Sequence, residues 1–416
     1  GVSRRQPGCS SAGAYVAPAP SKAHTMRIDT RIAERLKKIR PSSTLAITSK
    51  ARKLRAEGKD VVSFAAGEPD ADTPDFIKVA AIEAINSGFT KYTPSTGIPE
   101  LKKLISEKFK RDNGLDYKPE QVVVSCGAKH SLFNVLMALV DPGDEVLIPS
   151  PYWVSYPEMV YLCGGLPRFV KTAPENGFRV TAEELNAYVS PKTKVLILNS
   201  PSNPAGSVYN RKELLAIAEL CVANKIFVIS DEIYEKLIYD GLKYISIVGL
   251  HPEMKDLAVT INGVSKTYAM TGWRIGYLGA PADVAEAIGR IQDHTTSNPS
   301  SISQKAALAA LKAPEKFAEN MRAEYAGRRD YMLTRLNSMP GLKPVVPQGA
   351  FYVFCDISGT GMDSGVFSAK LLEDKFVAVI PGEGFGRVDY IRFSFATGME
   401  QIKKGMDRIE EWVKTL

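Results

Sequence analysis

The chain has 416 residues, 24% of them charged, and a formal net charge of +7, which suits a globular protein with one large and one smaller domain. Its basic residues are scattered and no run of 18 apolar residues occurs, so we expect neither a nucleic-acid surface nor a membrane span. The five cysteines and four histidines form no ligand-like cluster, which argues against a disulfide framework and predicts no metal site.

The first 25 residues differ from the rest of the chain. Residues 1–25 contain no acidic residue and are rich in serine, alanine and proline. This composition is typical of the remnant of an organelle-targeting segment, and equally of a segment added ahead of a start at Met26. We therefore expect residues 1–25 to be a disordered leader outside the fold. The unpaired cysteines favour a reducing compartment, so we predict a cytoplasmic location, or an organelle such as the plastid if the leader is a targeting remnant.

Short apolar runs alternate with helix-like stretches through the middle of the chain. The strand-like runs are 122–126, 145–151, 194–201, 226–232, 257–263 and 274–281. Each is nearly continuous in valine, isoleucine and leucine, as is typical of strands buried on both faces of a mostly parallel sheet. The pattern predicts an α/β fold, in which the active site lies where the carboxyl ends of strands turn into loops.

The C-terminal part of the chain has a different order of elements. A long polar, helix-forming stretch at 313–339 precedes two strand-like runs, 351–357 and 390–397, and an amphipathic ending. This order predicts a smaller α+β domain connected through a long helix. The predicted divisions are an N-terminal segment that joins the small domain (26–71), a large domain (72–312), and the linking helix with the small domain (313–416).

The segment TINGVSKTYAMTGWRIG, residues 260–276, carries the strongest chemical signal. Lys266 follows a predicted strand, where a buried lysine is costly unless its amine is neutral or bonded. An imine between this amine and an aldehyde cofactor removes that cost and makes the lysine a covalent catalyst. Arg274, between two glycines, suits a phosphate dianion. Alone, either residue is more often a surface lysine or a structural arginine, and only their shared context favours the cofactor.

Two further strand ends point to the same cofactor. LILNSPSNPAG ends in a turn that contains Asn203, and FVISDEIYEKL contains Asp231 and Tyr234. Pyridoxal 5′-phosphate requires a carboxylate against its pyridine nitrogen, which keeps that nitrogen protonated so that the ring can act as an electron sink. Asp231 is the predicted carboxylate, with Asn203 and Tyr234 as donors to the ring oxygen. The alternative for Asp231 is an N-cap of a following helix.

The stretch VVVSCGAKHSLFNVLM has the outline of a phosphate cradle, which is a strand, a glycine and then a helix. The backbone amides of Gly127, Ala128 and Lys129 are predicted to hold the cofactor phosphate. Lys129 places a cation in the first helical turn, against the preference of the helix dipole, which indicates that anions bind there; a solvated lysine is the alternative. GEGFG (382–386) and GTGMDSG (359–365) lack the spacing and context of a dinucleotide site.

With these motifs in place, the chain resembles the class I, fold type I, pyridoxal phosphate-dependent aminotransferases, especially subgroup one-beta of the aspartate aminotransferases. The resemblance runs from about Ile28 to the C-terminus. The motifs that carry it are AAGEPDADTP, KYTPSTGIPELK, PYWVSYPEM, NSPSNPAGSVY, SDEIYE, VSKTYAMTGWRIGY, QGAFYVF and IRFSFA. It implies a mostly parallel seven-stranded sheet in the large domain, a smaller α+β domain, and ping-pong transfer of an amino group from an amino acid to a 2-oxo acid.

The resemblance also implies roles for single residues. Lys266 forms the Schiff base and shuttles a proton, Asp231 pairs with the pyridinium nitrogen, and Tyr234 and Asn203 address the ring oxygen. The other implied cofactor contacts are a stacking ring at Trp153 and phosphate contacts from Gly127, Ala128, Ser265, Arg274 and Tyr92 of the partner subunit. A homodimer with shared active sites follows. Gly263 departs from the family, since some relatives have a phosphate-binding serine there.

The implied substrate contacts are Gly67, Lys129, Trp153, Asn203 and Arg392. Arg392 matches the arginine that clamps the substrate α-carboxylate; it lies on the polar face of its predicted strand, where an exposed arginine is the alternative. Residues 295–301 offer no arginine for a second carboxylate, and Lys129 is the matching lysine of subgroup one-beta. The expected substrates are therefore aspartate or glutamate with 2-oxoglutarate or oxaloacetate.

Thr44, in PSSTLAIT, together with Lys129 resembles the members of the subgroup that also aminate prephenate to arogenate. Prephenate is therefore a further expected substrate. Other fold type I enzymes remain alternatives, such as an aromatic or alanine aminotransferase or a carbon–sulfur β-lyase, because fold does not determine reaction type. A ligand sensor of a transcription regulator is a more distant alternative, since the leader is too short for a DNA-binding domain.

Overall fold

The structure is a computed structural model that describes Gly1, residues 33–40 and residues 43–416, apart from the side chains of residues 43–45. The predicted leader, residues 1–25, lies outside the described residues except for Gly1. The side chain of Thr44 also lies outside them, although its backbone belongs to the first α-helix. Both remain predictions.

Strands and α-helices alternate through most of the described chain. The strands are β1 Val62–Ser63, β2 Val122–Ser125, β3 Glu145–Ser150, β4 Leu166–Lys171, β5 Thr193–Asn199, β6 Phe227–Asp231, β7 Ala258–Gly263, β8 Gly276–Gly279, β9 Lys343–Val345, β10 Tyr352–Asp356, β11 Val377–Ala378, β12 Ile380–Pro381 and β13 Tyr390–Ser394. The α-helices are α1 Ser43–Ala56, α2 Asp75–Asn86, α3 Pro99–Lys108, α4 Ala128–Leu139, α5 Ser155–Leu162, α6 Ala182–Asn186, α7 Arg211–Asn224, α8 Ala282–Asp293, α9 Ser301–Lys312, α10 Lys316–Asn337, α11 Ser364–Lys375 and α12 Met399–Val413. Among these, no helix is both long enough and apolar enough to cross a membrane.

The largest sheet has seven strands in the order β2-β8-β7-β6-β5-β3-β4. Its neighbours are parallel except at β8, which runs antiparallel to β2 and β7. This confirms the predicted α/β fold, and the six apolar runs of this region occur as strands with ends within two residues of those predicted. The edge strand β4 was missed, because only Val170 of its residues is buried and Pro167 and Arg168 interrupt the apolar pattern.

Helices cover both faces of this sheet, which explains why its strands are continuously apolar. In β6, Val228 belongs to the core that α3, α7 and α9 close, whereas Ile229 belongs to the core that α4, α5 and α8 close. Neighbouring residues of one strand are therefore buried by opposite helical layers. Asn199 and Asp231 are the last residues of β5 and β6.

A second, antiparallel sheet has the order β12-β13-β10-β9 and shares its core with α10 and α12. The helix α10 occupies most of the stretch predicted to be a long helix, residues 313–339. The short strand β1 pairs in parallel with β11, which brings residues 62–63 beside the C-terminal part of the chain. The domain boundaries at residues 71 and 312 remain predictions.

Candidate active site

A cavity of about 300 Å³ lies where β5, β6 and β7 end, next to residues of the antiparallel sheet. This is the position expected for the site of an α/β sheet. Most of the predicted site residues meet in its lining: Gly67, Ala128, Lys129, Trp153, Asn203, Asp231, Tyr234, Ser265, Lys266, Arg274 and Arg392.

Lys266 reaches the cavity from the loop that follows β7. Its Nζ donates a hydrogen bond to the backbone oxygen of Gly67. Burial is the largest cause that lowers the pKa of Lys266 to about 8, and the nearby guanidinium groups of Arg392 and Arg274 act in the same direction. A substantial fraction of the amine is therefore neutral near pH 8, and the neutral amine is the form that attacks a carbonyl carbon.

Asp231, the last residue of β6, is only 4% exposed. Its Oδ2 accepts a hydrogen bond from the Tyr156 hydroxyl at 2.7 Å, and its Oδ1 accepts one from the amide of Ile233 at 3.3 Å. Burial raises the pKa of Asp231. Residues 233–236 form a turn and not a helix, so the N-cap alternative is wrong. A buried carboxylate with two neutral donors fits a cationic group in the cavity, such as a protonated pyridine nitrogen.

The turn between β2 and α4 packs closely against β8. Gly127 has φ +92°, and a Cβ on Gly276 would collide with the backbone of Ala128, so the close approach requires both glycines. The helix α4 begins at Ala128, and the first amides of a helix have no acceptor within it. The amide of Gly127 donates to the oxygen of Ser125 at 2.7 Å. The amides of Ala128 and Lys129 are therefore open to an anion, whereas that of Gly127 is bonded within the turn, and its contact with the phosphate remains a prediction.

Arg274 lies beside this turn in the left-handed backbone region, with φ +56°. Its Nη1 donates to the oxygen of Thr271 at 2.9 Å and its Nη2 to the oxygen of Cys126 at 3.3 Å. These bonds hold the guanidinium group against the turn, where Ser265 also lines the cavity. A Cβ on Gly263 would lie 3.1 Å from a backbone oxygen, so the serine of some relatives has little room here. Arginine, hydroxyl and helix amides together suit a phosphate dianion.

Arg392, in β13, is only 2% exposed, so the alternative of an exposed strand arginine is wrong. Its Nη1 donates to Asn203 Oδ1 at 3.0 Å and its Nη2 to the oxygen of Ala65 at 3.2 Å. The guanidinium carbon lies 4.2 Å from the ring centroid of Tyr352 and 5.1 Å from that of Phe385. Its Nε is buried without a partner in the described structure. Burial lowers the pKa of Arg392, and an anionic ligand would offset that cost.

Asn203 and Tyr234 each form a hydrogen bond with a residue of the antiparallel sheet. The side-chain oxygen of Asn203 accepts the arginine bond described above, which leaves its amide nitrogen as the group that can donate. The hydroxyl oxygens of Tyr234 and Tyr352 are 3.0 Å apart. Asn199 Oδ1 accepts from the amide of Asn203 at 2.8 Å, and Asn199 Nδ2 donates to the oxygen of Asp231 at 2.9 Å. Hydrogen bonds of Asn199 thus link the carboxyl ends of β5 and β6 at the site.

Lys129 is half-buried in the first turn of α4. Its Nζ lies 4.7 Å from the ring centroid of Trp153. Burial lowers the pKa of Lys129, and Arg274 acts in the same direction. Trp153 packs edge-on against Tyr156, with ring centroids 5.4 Å apart. Lys129 is therefore a partly desolvated cation in the cavity, in contrast to the solvated lysine of the alternative interpretation.

Two predicted residues, Gly127 and Tyr92, are absent from the cavity lining, and several residues that line it were not predicted. Tyr92 is 92% exposed and is absent from the cavity lining. Tyr156, Asn199 and Tyr352 all line the cavity. Each occurs inside a motif that was singled out, PYWVSYPEM, NSPSNPAGSVY and QGAFYVF, but the order of residues does not reveal the direction of their side chains.

Pyridoxal 5′-phosphate fits these residues. Asp231 suits its pyridine nitrogen, Lys266 suits its aldehyde carbon, and the turn at Ala128 with Arg274 suits its phosphate. When bound, this cofactor supplies an electron sink for chemistry at the substrate α-carbon. The fold and the site therefore define a class of protein, the pyridoxal phosphate-dependent enzymes built on an α/β sheet.

Comparison with known proteins identifies the family within this class. Residues 59–409 match the family described as aminotransferase class I and II, and the chain belongs to this family. It is 48% identical to the aspartate aminotransferase of Geobacillus stearothermophilus over 389 residues, which are 92% of this chain and 99% of that protein. It is 47% identical to the aspartate/prephenate aminotransferase of Cereibacter sphaeroides over 390 residues, which are 91% of this chain and 98% of that protein.

Solved structures agree with this assignment. The aspartate aminotransferase of Rhizobium meliloti superimposes with a TM-score of 0.89 at 42% identity, over 92% of this chain and 99% of that one. The Thermus thermophilus aspartate aminotransferase with maleate superimposes with a TM-score of 0.88 at 43% identity, over 91% and 99%. The protein is thus a pyridoxal phosphate-dependent aminotransferase, as the motifs implied.

Proposed function

We propose that this aminotransferase moves the amino group of aspartate or glutamate to 2-oxoglutarate or oxaloacetate. The observation that carries the proposal is the presence of Arg392 and Lys129 in one cavity, in addition to the lysine and arginine assigned to the cofactor. Burial lowers the pKa of both groups, and a carboxylate bound to each would offset the cost of burial. A relative named aspartate aminotransferase and the Thermus thermophilus structure with maleate, a dicarboxylate, support this choice.

In this proposal Arg392 binds the α-carboxylate and so directs the α-carbon of the substrate, which lies close to the backbone of Gly67, toward Lys266. The neutral amine of Lys266 takes the proton from that carbon and returns it as a positioned acid–base group. Asp231 stays ionised against the cofactor ring nitrogen. The other proposed cofactor contacts are hydrogen bonds from Tyr234 and Asn203 to the ring oxygen, the ring of Trp153 against the cofactor ring, and phosphate contacts at the Gly127–Ala128 turn, Ser265 and Arg274.

Lys129 decides the preference for a second carboxylate in this proposal. Replacing Lys129 with methionine should raise KM for aspartate about tenfold to a hundredfold, because a hydrogen bond to a charged group contributes about 1.5–3 kcal/mol. KM for alanine, which has no second carboxylate, should change by less than about threefold. Methionine keeps an unbranched chain against Trp153, so the contrast isolates the charge. Initial rates with each donor at a saturating acceptor measure it.

Lys305 provides the matched control, since its Nζ lies 4.5 Å from the ring centroid of Phe89 and it does not line the cavity. Lys305→Met should leave both KM values unchanged. A Lys129→Met variant that raised KM equally for aspartate and alanine would show that Lys129 does not bind the second carboxylate.

Prephenate is a further proposed acceptor. It carries a second carboxylate that Lys129 can bind, and the Cereibacter sphaeroides relative is named aspartate/prephenate aminotransferase. We expect arogenate to form from prephenate with either aspartate or glutamate as donor, detected by mass spectrometry, and Lys129→Met to reduce its formation. No arogenate from an enzyme sample that converts aspartate would refute prephenate as a substrate and leave the dicarboxylate proposal standing.

A homodimer with shared active sites completes the proposal. The helix α2 presents a stripe of large apolar side chains, each 44–54% exposed, which are Phe76, Val79, Ile82 and Ile85. A contiguous apolar stripe on a protein surface is typical of a subunit contact. Tyr92 is more exposed than any of them and does not line the cavity of its own subunit. This supports a role in which the partner's Tyr92 contacts the cofactor phosphate.

We also propose a cytoplasmic location. The thiols of Cys126, Cys163, Cys221 and Cys355 are free. Free thiols support a reducing compartment. The organelle alternative depends on residues 1–25, most of which lie outside the described residues.

A further inference from the structure

The loop that carries Tyr92, residues 92–98, lies along the open edge of the large sheet. The sheet ends at β2 on this side. The oxygen of Thr96 accepts a hydrogen bond from the amide of Val124 at 2.9 Å. Gly97 has φ +105°, and a Cβ there would lie 2.6 Å from the side chain of Val124. The 92–98 loop therefore covers the edge of β2, whose free backbone groups would otherwise need another partner.

Gln292, on α8, is fully buried. It joins this loop to the turn between β2 and α4, residues 126–127, which we call the phosphate turn. Its Nε2 donates to the oxygen of Ser95 in the loop and to the oxygen of Val124 at 2.7 Å. Its Oε1 accepts from Ser125 Oγ at 2.9 Å and from Asn134 Nδ2 at 3.3 Å. One amide group thus bonds the loop with its nitrogen, and the base of the phosphate turn with its oxygen.

The two contacts of Oε1 belong to the elements that form the phosphate turn. Ser125 is the last residue of β2 before the turn, and Asn134 lies in α4, whose first amides are open to an anion. The nitrogen of Gln292 faces two carbonyl oxygens, so its orientation is determined by the need for a donor. An apolar side chain at this position would leave these buried carbonyls with one partner fewer, which is unfavourable because a buried acceptor without a donor keeps its desolvation penalty.

Gln304, on α9, holds the same loop without touching the phosphate turn. It is also fully buried. Its Oε1 accepts from the amide of Ile98 at 2.8 Å, and its Nε2 donates to Thr93 Oγ1 at 3.0 Å and to the oxygen of Pro299 at 2.9 Å. Both Gln292 and Gln304 therefore form hydrogen bonds with the 92–98 loop, and of the two only Gln292 also bonds the phosphate turn.

We propose that Gln292 is a positioning residue that couples the two active sites of the dimer. The inference rests on the proposed function, in which Tyr92 serves the site of the partner subunit. With its nitrogen Gln292 holds the loop that presents Tyr92, and with its oxygen it holds the turn that binds the phosphate of its own subunit. Because both ends belong to one planar amide, a shift of the turn in one subunit moves the tyrosine that the other subunit uses.

Hybrid dimers separate the effect of a variant on the site of its own subunit from its effect on the site of the partner subunit. In a hybrid with Lys266→Met in one subunit, only the other subunit binds pyridoxal phosphate covalently. A second variant placed in the subunit that keeps Lys266 acts on the site of its own subunit. The same variant placed in the Lys266→Met subunit acts on that site across the dimer interface. The measurement is the dissociation rate of pyridoxal phosphate from the Lys266 site, followed by its absorbance after dilution into an excess of a cofactor scavenger.

We expect Gln292→Met to raise the dissociation rate about five- to tenfold in both placements, as the loss of about one hydrogen bond predicts. Two variants serve as matched controls. Ser125→Ala should raise the rate more from the Lys266 subunit than from the opposite one, and Gln304→Met should do the reverse, because each removes a contact at only one end of the connection. Tyr92→Phe should act only across the interface, and Gln292→Met added to it in that subunit should have no further effect.

Different failures have different meanings. If Tyr92→Phe raises the rate across the interface and Gln292→Met does not, the coupling role is refuted and the shared site stands. If Tyr92→Phe itself has no effect across the interface, the shared site fails and the coupling inference fails with it. Equal effects of all variants in both placements would show general loosening of the fold, and would also overturn the role of Gln292.

Discussion

Replacing Lys266 with methionine should lower kcat for amino transfer by at least about 10⁴-fold, the upper end of what one positioned acid–base group contributes. The variant lacks both the amine that bonds the cofactor and the base that moves the α-proton, and no other lysine except Lys129 lines the cavity in the described structure. Single-turnover rates from the cofactor absorbance measure the loss. Lys212→Met, at an exposed lysine of α7, should leave kcat unchanged. A Lys266→Met enzyme within tenfold of the parent would refute the assignment.

The same replacement should stabilise the cofactor-free protein. The pKa of Lys266 falls from its ordinary value of 10.5 to about 8 on folding, so the folded chain holds this proton less tightly than the unfolded chain. Below pH 8 this difference costs the parent protein up to about 3 kcal/mol, and the cost disappears as the pH rises toward 10.5. Urea unfolding should therefore show Lys266→Met as the more stable protein at pH 7, with a difference that shrinks at higher pH. A difference independent of pH would contradict the burial of the amine.

Arg392→Lys should lower kcat/KM by about 10²- to 10³-fold for aspartate and for alanine alike. Lysine keeps the charge, but it cannot donate to Asn203 and Ala65 at once while lying between the rings of Tyr352 and Phe385. Disturbing a buried, hydrogen-bonded charge typically costs about 2–5 kcal/mol. Both substrates carry the α-carboxylate, so both should be affected, in contrast to the selective effect expected at Lys129. Steady-state kinetics with the two donors distinguish the cases.

Arg387 is a matched control for this variant. Its guanidinium carbon also lies between two rings, 4.6 Å from the centroid of Tyr390 and 5.1 Å from that of Phe178. Its charge is paired with Asp389, and it does not line the cavity. Arg387→Lys should therefore leave kcat/KM nearly unchanged. A loss at Arg392 confined to aspartate would assign this arginine to the second carboxylate.

The central strands of the large sheet were predictable because both of their faces are buried. Val228 and Ile229 face opposite cores, so the strand is apolar at every position and stands out from its surroundings. The edge strand β4 has one buried residue, Val170, and its polar positions hide it. A run of apolar residues indicates a buried strand, so an exposed strand cannot be recognised from it.

The residue types at the strand ends were sufficient to predict the cofactor. Lys266, Asp231 and Arg274 are costly or unusual where the chain is otherwise apolar, so their presence indicates a function. The same reasoning did not identify Tyr156 or Tyr352, because a tyrosine near a buried strand is most often part of the core. Their hydroxyls bond Asp231 and Tyr234 only through contacts between distant segments.

Lys266 shows what the sequence alone determined. A lysine at the end of an apolar strand, with a carboxylate and an arginine at neighbouring strand ends, indicates the chemistry, since those residue types are rarely fully buried unless they are paired. The tertiary structure decided how these groups are held. It buried Arg392 between two rings and joined the phosphate turn to the 92–98 loop through Gln292. These features depend on contacts between residues far apart in the chain, which no local sequence pattern shows.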